Sequence, residues 1–167
     1  AQVVQAATKW KRMALKQFDC RASEGICTDM RAVRKDYFLD HDHSAYVDQW
    51  DWERVVTPEM RTLDFLRDTV ERIWEVIYEA GRMAEKDFPA LGGGGYPDLP
   101  RKLDFFHAEE ILARYPDLPR KQREDRMLQD VSPAIFIIGI GHTLEDGYPH
   151  ELRAADYDEW IAPTIEK

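Results

Sequence analysis

Two stretches in which the chemistry alternates at every residue constrain this chain most. In the first, Ile26, Thr28, Met30, Ala32 and Arg34 fall on one side, and Cys27, Asp29, Arg31 and Val33 on the other. In the second, from Ala45 to Val55, Ala45, Val47, Gln49, Asp51 and Glu53 share a side opposite Tyr46, Asp48, Trp50 and Trp52. A period of two is that of a strand with unlike faces, and the aromatic and valine content of the second stretch suits one. The polar segment Lys35 to His43 between them reads as a loop. The expectation is therefore strand, long loop, antiparallel strand.

Around this pair the chain alternates between helix and strand. Gln2 to Gln5 reads as a strand end. Ala6 to Gln17 reads as a helix, with Trp10, Met13 and Ala14 on its apolar face and Lys11 beside that seam. A long helix is expected from Thr57 as N-cap, with Pro58 at the first position and Glu59 at the positive end of the dipole. Its stripe is Leu63, Leu66, Val70, Ile73, Trp74 and Ile77, and Phe88-Pro89 ends it. The four glycines Gly92 to Gly95 form a loop without the lysine and hydroxyl residue of a phosphate loop. Then come a strand at Leu103 to Phe106, helices at Ala108 to Tyr115 and Pro119 to Gln129, and an apolar strand at Ala134 to Gly141, expected to be buried on both faces. A short strand is expected near Leu152 to Ala155. Trp50, Trp52 and Trp74 are expected in the core. The segment Tyr-Pro-Asp-Leu-Pro-Arg-Lys occurs twice, at Tyr96 to Lys102 and at Tyr115 to Lys121, which is too few copies for a solenoid. This order indicates a single α+β or mixed α/β domain over residues 1–167.

Charge and composition narrow the function. With 32 acidic and 23 basic residues the formal charge is −9, which opposes non-specific attraction to nucleic acid phosphates. No apolar run approaches the ~18 residues of a membrane-spanning helix. Cys20 and Cys27 read as reduced thiols of a cytosolic protein. Asp40, His41, Asp42 and His43 lack a further spaced ligand, so they read as a polar loop and no metal ligand is assigned. His107 and His150 are isolated and read as surface or packing residues. Lys9, Lys11 and Arg12 on a helix, Arg34 at a strand end, and Gln49 and Asp51 on the returning strand could together grip a small anionic ligand. On spacing alone the same set fits a solvated sheet edge with a salt bridge. Asp156 and Asp158, two apart, fit either a ligand-reading pair or an acidic loop.

The run Ser44-Ala45-Tyr46-Val47-Asp48-Gln49-Trp50-Asp51-Trp52-Glu53-Arg54-Val55 resembles the signature of ammonia-dependent asparagine synthetases, the aspartate–ammonia ligases. So do Lys9-Trp10-Lys11-Arg12, Gly25 with Thr28, Met30 and Arg34, Arg114-Tyr115-Pro116-Asp117-Leu118, Gly139-Ile140-Gly141, and Arg153-Ala154 with Asp156-Tyr157-Asp158. The order holds from about Val3 to Pro163. The family in turn resembles the catalytic core of class II aminoacyl-tRNA synthetases, a mainly antiparallel sheet flanked by helices. The resemblance implies a cytosolic homodimer that uses ATP and Mg²⁺ to turn the side-chain carboxylate of L-aspartate into β-aspartyl-AMP. Pyrophosphate leaves, and ammonia then gives asparagine and AMP. It implies that Arg34 binds the α-phosphate and the reacting carboxylate. Lys11 neutralises charge on aspartate or the developing adenylate. Gln49 and Asp158 orient aspartate, Asp158 through its amino group, with Asp51 as a second-choice contact, and Ser44 and the loop before it lie near AMP.

Gln5 and Ala6 stand where the family usually carries His-Ser, and the loop Lys35 to Asp42 also departs from its pattern. The resemblance is to a central part of the family's chain, so a catalytic domain incomplete at both ends is expected. Two rival readings make opposite predictions. A non-catalytic paralogue, acting as an amino-acid-binding or regulatory subunit, binds aspartate without forming AMP. An aminoacyl-tRNA synthetase fragment binds tRNA.

Overall fold

The computed structural model describes residues 9–33, 44–92 and 98–151. The readings at Gln2 to Gln5, at the start of the first helix, at Arg34, at the loop to His43 and at Leu152 to Asp158 lie outside these residues. The described residues divide between Met60 and Arg61 into two compact units.

The first unit holds α1 (Lys9–Gln17), β1 (Gly25–Val33) and β2 (Tyr46–Arg54). β1 and β2 pair antiparallel from Gly25 opposite Arg54 to Val33 opposite Tyr46. This register puts Ile26, Thr28, Met30 and Ala32 opposite Glu53, Asp51, Gln49 and Val47, the two sides expected from the alternation. Directly opposed residues share a face, so one face carries both sets. Gly25 is needed where the strands first close, because a Cβ there would lie 2.5 Å from the Glu53 carbonyl oxygen. The pairing continues past the strands through Ser23 N–H to Val55 O (2.8 Å) and Val55 N–H to Glu24 O (2.9 Å).

α1 buries Ala14, as expected, but with Lys11 and Leu15 rather than with Trp10 and Met13. Trp10 and Met13 are exposed, so the buried stripe is turned by one residue. The cause is electrostatic, since Lys11 meets a carboxylate on β2. The helix ends in a paired cap: Cys20 N–H bonds Leu15 O (2.9 Å) and Asp19 N–H bonds Lys16 O (3.1 Å). Asp19 takes the left-handed position of this motif at φ +50°. Trp50 and Trp52, expected in the core, are 87% and 48% exposed on the outer face of β2.

Thr57-Pro58 begins a single 3₁₀ turn, Pro58–Met60, rather than the long helix. α2 runs Leu63–Asp87 in the second unit. It starts at Thr62, whose hydroxyl oxygen accepts from Phe65 N–H at 3.2 Å and so supplies a second, stronger stop-and-start signal. It ends where expected, with a 3₁₀ turn at Pro89–Leu91. Its stripe is only half covered, with Ile73 and Ile77 exposed. Trp74 is half-buried and donates Nε1–H to Pro100 O (3.1 Å).

β3 (Asp104–His107) and β4 (Ile135–Ile138) pair in parallel, with α3 (Ala108–Arg114) and α4 (Arg120–Asp130) between them. β4 is half-buried rather than buried on both faces. The core of this unit includes Ala108, Ile111, Leu112, Met127 and Leu144. The two copies of the repeat take different roles. Arg101 of the first reaches Glu79 (2.7 Å) and Glu75 (2.9 Å) on α2, while the second leads into α4, where Arg120 pairs with Glu151. Among the described residues no helix is long and apolar enough to cross a membrane. The described residues are thus mixed α/β, with one antiparallel and one parallel strand pair among them.

Candidate functional site

The inner face of the β1–β2 pair collects the polar residues that alternation sends there. Lys11 on α1 donates from Nζ to Asp51 Oδ2. The lysine is fully buried, and the Asp51 side chain keeps 19% of its surface exposed. The Lys11 ammonium also lies 5.7 Å from the centre of the Trp10 ring, within cation–π range. On the next residue, Arg12 Nε stands 3.7 Å from Glu53 Oε1. Asp51 and Glu53 are two apart on the strand, and Lys11 and Arg12 are adjacent on the helix, so two charge pairs set α1 on β2. Thr28, opposite Asp51, donates its hydroxyl to the Asp51 carbonyl oxygen at 3.2 Å and fixes the backbone there.

Gln49 lies two residues from Asp51 on the same face, opposite Met30, and is exposed. Ser44 is exposed just ahead of β2, where its Oγ accepts from Tyr46 N–H at 3.2 Å. The structure thus brings together Lys11 and Asp51, with Gln49 beside them. Arg34 and Asp158 lie outside the described residues. On the outer face Tyr46 donates to Asp48 (2.6 Å), and this hydrogen bond raises the phenol above its ordinary range.

The face thus brings a lysine from α1 against a partly accessible carboxylate on β2, with a polar amide two residues away on the same strand. Among the described residues no group of three or more His, Cys, Asp or Glu is placed to hold a metal ion.

In the second unit two histidines read as isolated have defined partners. His107 caps α3: its Nδ1 accepts from Glu109 N–H (3.2 Å), and its own N–H donates to Glu110 Oε2 (2.6 Å). A glutamate three residues after the cap was the signal for this. His150 is buried with Nε2 2.7 Å from Glu124 Oε1, a pairing that no local spacing reveals.

The arrangement is a buried lysine–carboxylate pair beside an exposed amide on an antiparallel strand pair. Residues 1–163 match the family described as AsnA, aspartate-ammonia ligase, and the chain belongs to that family. The match covers 163 of its 167 residues and so includes the whole span over which the motifs run. Its reaction is ATP-dependent amidation of aspartate, which makes asparagine.

Proposed function

We propose that the chain carries out this ligation through an adenylate, on a catalytic core of the class II aminoacyl-tRNA synthetase type in which both compact units belong to one domain. A carboxylate does not acylate ammonia until one of its oxygens becomes part of a leaving group. In the first step a β-carboxylate oxygen of aspartate attacks the α-phosphorus of ATP, and the bond to pyrophosphate breaks. In the second, ammonia attacks the β-carbonyl carbon, the C–O bond to AMP breaks, and the nitrogen loses a proton to solvent. The first step brings anions together, so it depends on fixed cations.

Arg34 is proposed to hold the α-phosphate and the reacting carboxylate, bidentately as guanidinium groups do. Ser44, at the start of β2, is proposed to lie near AMP. Lys11, Gln49, Asp51 and Asp158 are proposed to make up the aspartate site, and Lys11 supplies its fixed positive charge. Mg²⁺ is proposed to arrive on the phosphates of ATP, where it neutralises their charge. Asp51 and Glu53 are each engaged by a cation and are not offered as its ligands. A cytosolic homodimer completes the reading.

The Lys11–Asp51 pair on the face that carries Gln49 is the observation that supports it, because residues forty apart in sequence meet there. The test is exchange of labelled pyrophosphate into ATP with aspartate present and ammonia absent. An adenylate gives aspartate-dependent exchange that Arg34→Ala abolishes. Exchange that persists at the parent rate in Arg34→Ala overturns the role given to Arg34.

A further inference from the structure

The 167 residues contain no asparagine. They contain 18 aspartates, 6 glutamines and 8 lysines. Aspartate and glutamine are the chemical neighbours of asparagine, and lysine codons differ from asparagine codons only in the third base. Neither a shortage of polar positions nor the base composition of the gene therefore accounts for the omission. The structure also provides places that favour asparagine. Asp19 and Ser23 stand at φ +50° and +74°, in the left-handed region where asparagine is enriched among residues with a Cβ. Thr62 caps α2 through its hydroxyl oxygen, a role asparagine fills at least as well. Asp146 precedes Gly147 and accepts from Tyr148 N–H at 3.1 Å, a turn that an asparagine side chain closes in the same way. At each of these the chain uses aspartate, serine or threonine. Ser23 is the plainest case, because its backbone conformation strains a serine more than an asparagine.

The product of the family's reaction is asparagine. Protein synthesis consumes that product, and a ribosome waits at each asparagine codon when the amino acid is scarce. We infer that the composition is a regulatory device: these residues are translated without asparagine, so synthesis of the enzyme continues when its own product runs out. A chain that made asparagine and also required it would decline together with the supply. This one is made at the moment its activity is needed, and its activity then restores the pool. The inference needs only that the chain makes asparagine, and it is independent of the adenylate route.

The test uses cells with no other route to asparagine that carry the complete gene under an inducible promoter. Asp19→Asn, Ser23→Asn and Thr62→Asn are introduced together, since asparagine suits each site and none of the three is assigned to substrate. A control gene carries Asp19→Gly, Ser23→Gly and Thr62→Ser. Each gene is induced with asparagine supplied and again just after its withdrawal, and the chains made in the first minutes are measured with labelled methionine. The ratio of starved to fed synthesis cancels differences in folding and turnover among the three. The parent and the control should keep the same ratio, and the asparagine variant should fall several-fold below them. Growth should also resume later with that variant, although the purified enzymes have equal activity. Equal ratios for all three genes overturn the inference, whether all are maintained or all fall. Growth restored by none of the genes overturns it through the activity on which it rests, and that failure is distinguished by ratios that still differ.

Discussion

Gly139→Ala tests how tightly the β3–β4 unit is closed at the ends of its strands. Gly139 follows β4 at φ +77°, in the left-handed region. A Cβ there would lie 2.5 Å from His107 Nε2, 2.9 Å from Cε1 and 3.2 Å from Cδ2. The backbone alone costs a non-glycine residue about 1–2 kcal/mol. Against this, alanine restricts the unfolded chain and recovers about 0.4–1 kcal/mol. The ring contact adds more. His107 cannot swing away freely, because its Nδ1 caps α3, and losing such a cap costs about 1 kcal/mol. The sum is a loss of about 1–2.5 kcal/mol. Urea unfolding followed by circular dichroism measures it, with His107→Ala and the double variant alongside. Removing the ring relieves the clash, so the double variant should be less destabilised than the two single changes summed, by about 1 kcal/mol. A loss below about 0.5 kcal/mol for Gly139→Ala, or strict additivity, refutes the reasoning.

Three further outcomes follow from the same structure. Asp51→Ala strands the fully buried Lys11 ammonium and should cost about 3 kcal/mol, at the lower end for a broken buried pair because Asp51 is partly exposed, while Lys11→Met with Asp51→Leu should stay within about 1 kcal/mol of the parent in the same urea assay. The Glu59 carboxyl titrates below its ordinary range, first because of the Thr57 hydrogen bond and then because of its own backbone N–H. Its stabilising effect is therefore present above the unfolded carboxylate value and lost as pH falls through the depressed folded one, and Thr57→Val should move the Glu59 NMR titration upward. Asp19→Gly should raise the urea midpoint by up to the equivalent of about 1 kcal/mol, because Asp19 occupies the left-handed cap position that glycine adopts without strain.

Much of this was legible in residue order, for reasons that differ by element. The hairpin faces were readable because a period of two leaves no freedom once one side carries Ile26, Thr28 and Met30. The stop after Asp87 was readable because Phe88-Pro89 cannot continue a helix. The burial of α1 was not, since hydrophobicity favours Trp10 and Met13 while a carboxylate forty residues away decides for Lys11. The start of α2 was misplaced because Thr57-Pro58 is a true helix-start signal that yields only one 3₁₀ turn before Thr62 begins again. Parallel pairing of β3 with β4 fits the order strand, two helices, strand, because a parallel pair needs a long crossover connection, although the order does not by itself say which strands are neighbours. In the candidate site, the alternation placed Gln49 and Asp51 on one side, but the contact that joins Asp51 to Lys11 is tertiary. The assignment of Arg34, Ser44 and Asp158 to substrate came from the family motifs and not from spacing.

The most direct test of the proposed chemistry follows an oxygen atom. Aspartate labelled with ¹⁸O in its side-chain carboxylate is converted with ATP and ammonium, and the products are weighed by mass spectrometry. An adenylate route transfers one labelled oxygen to AMP and leaves pyrophosphate unlabelled. Label found in inorganic phosphate with ADP as the nucleotide product, or AMP free of label, contradicts it.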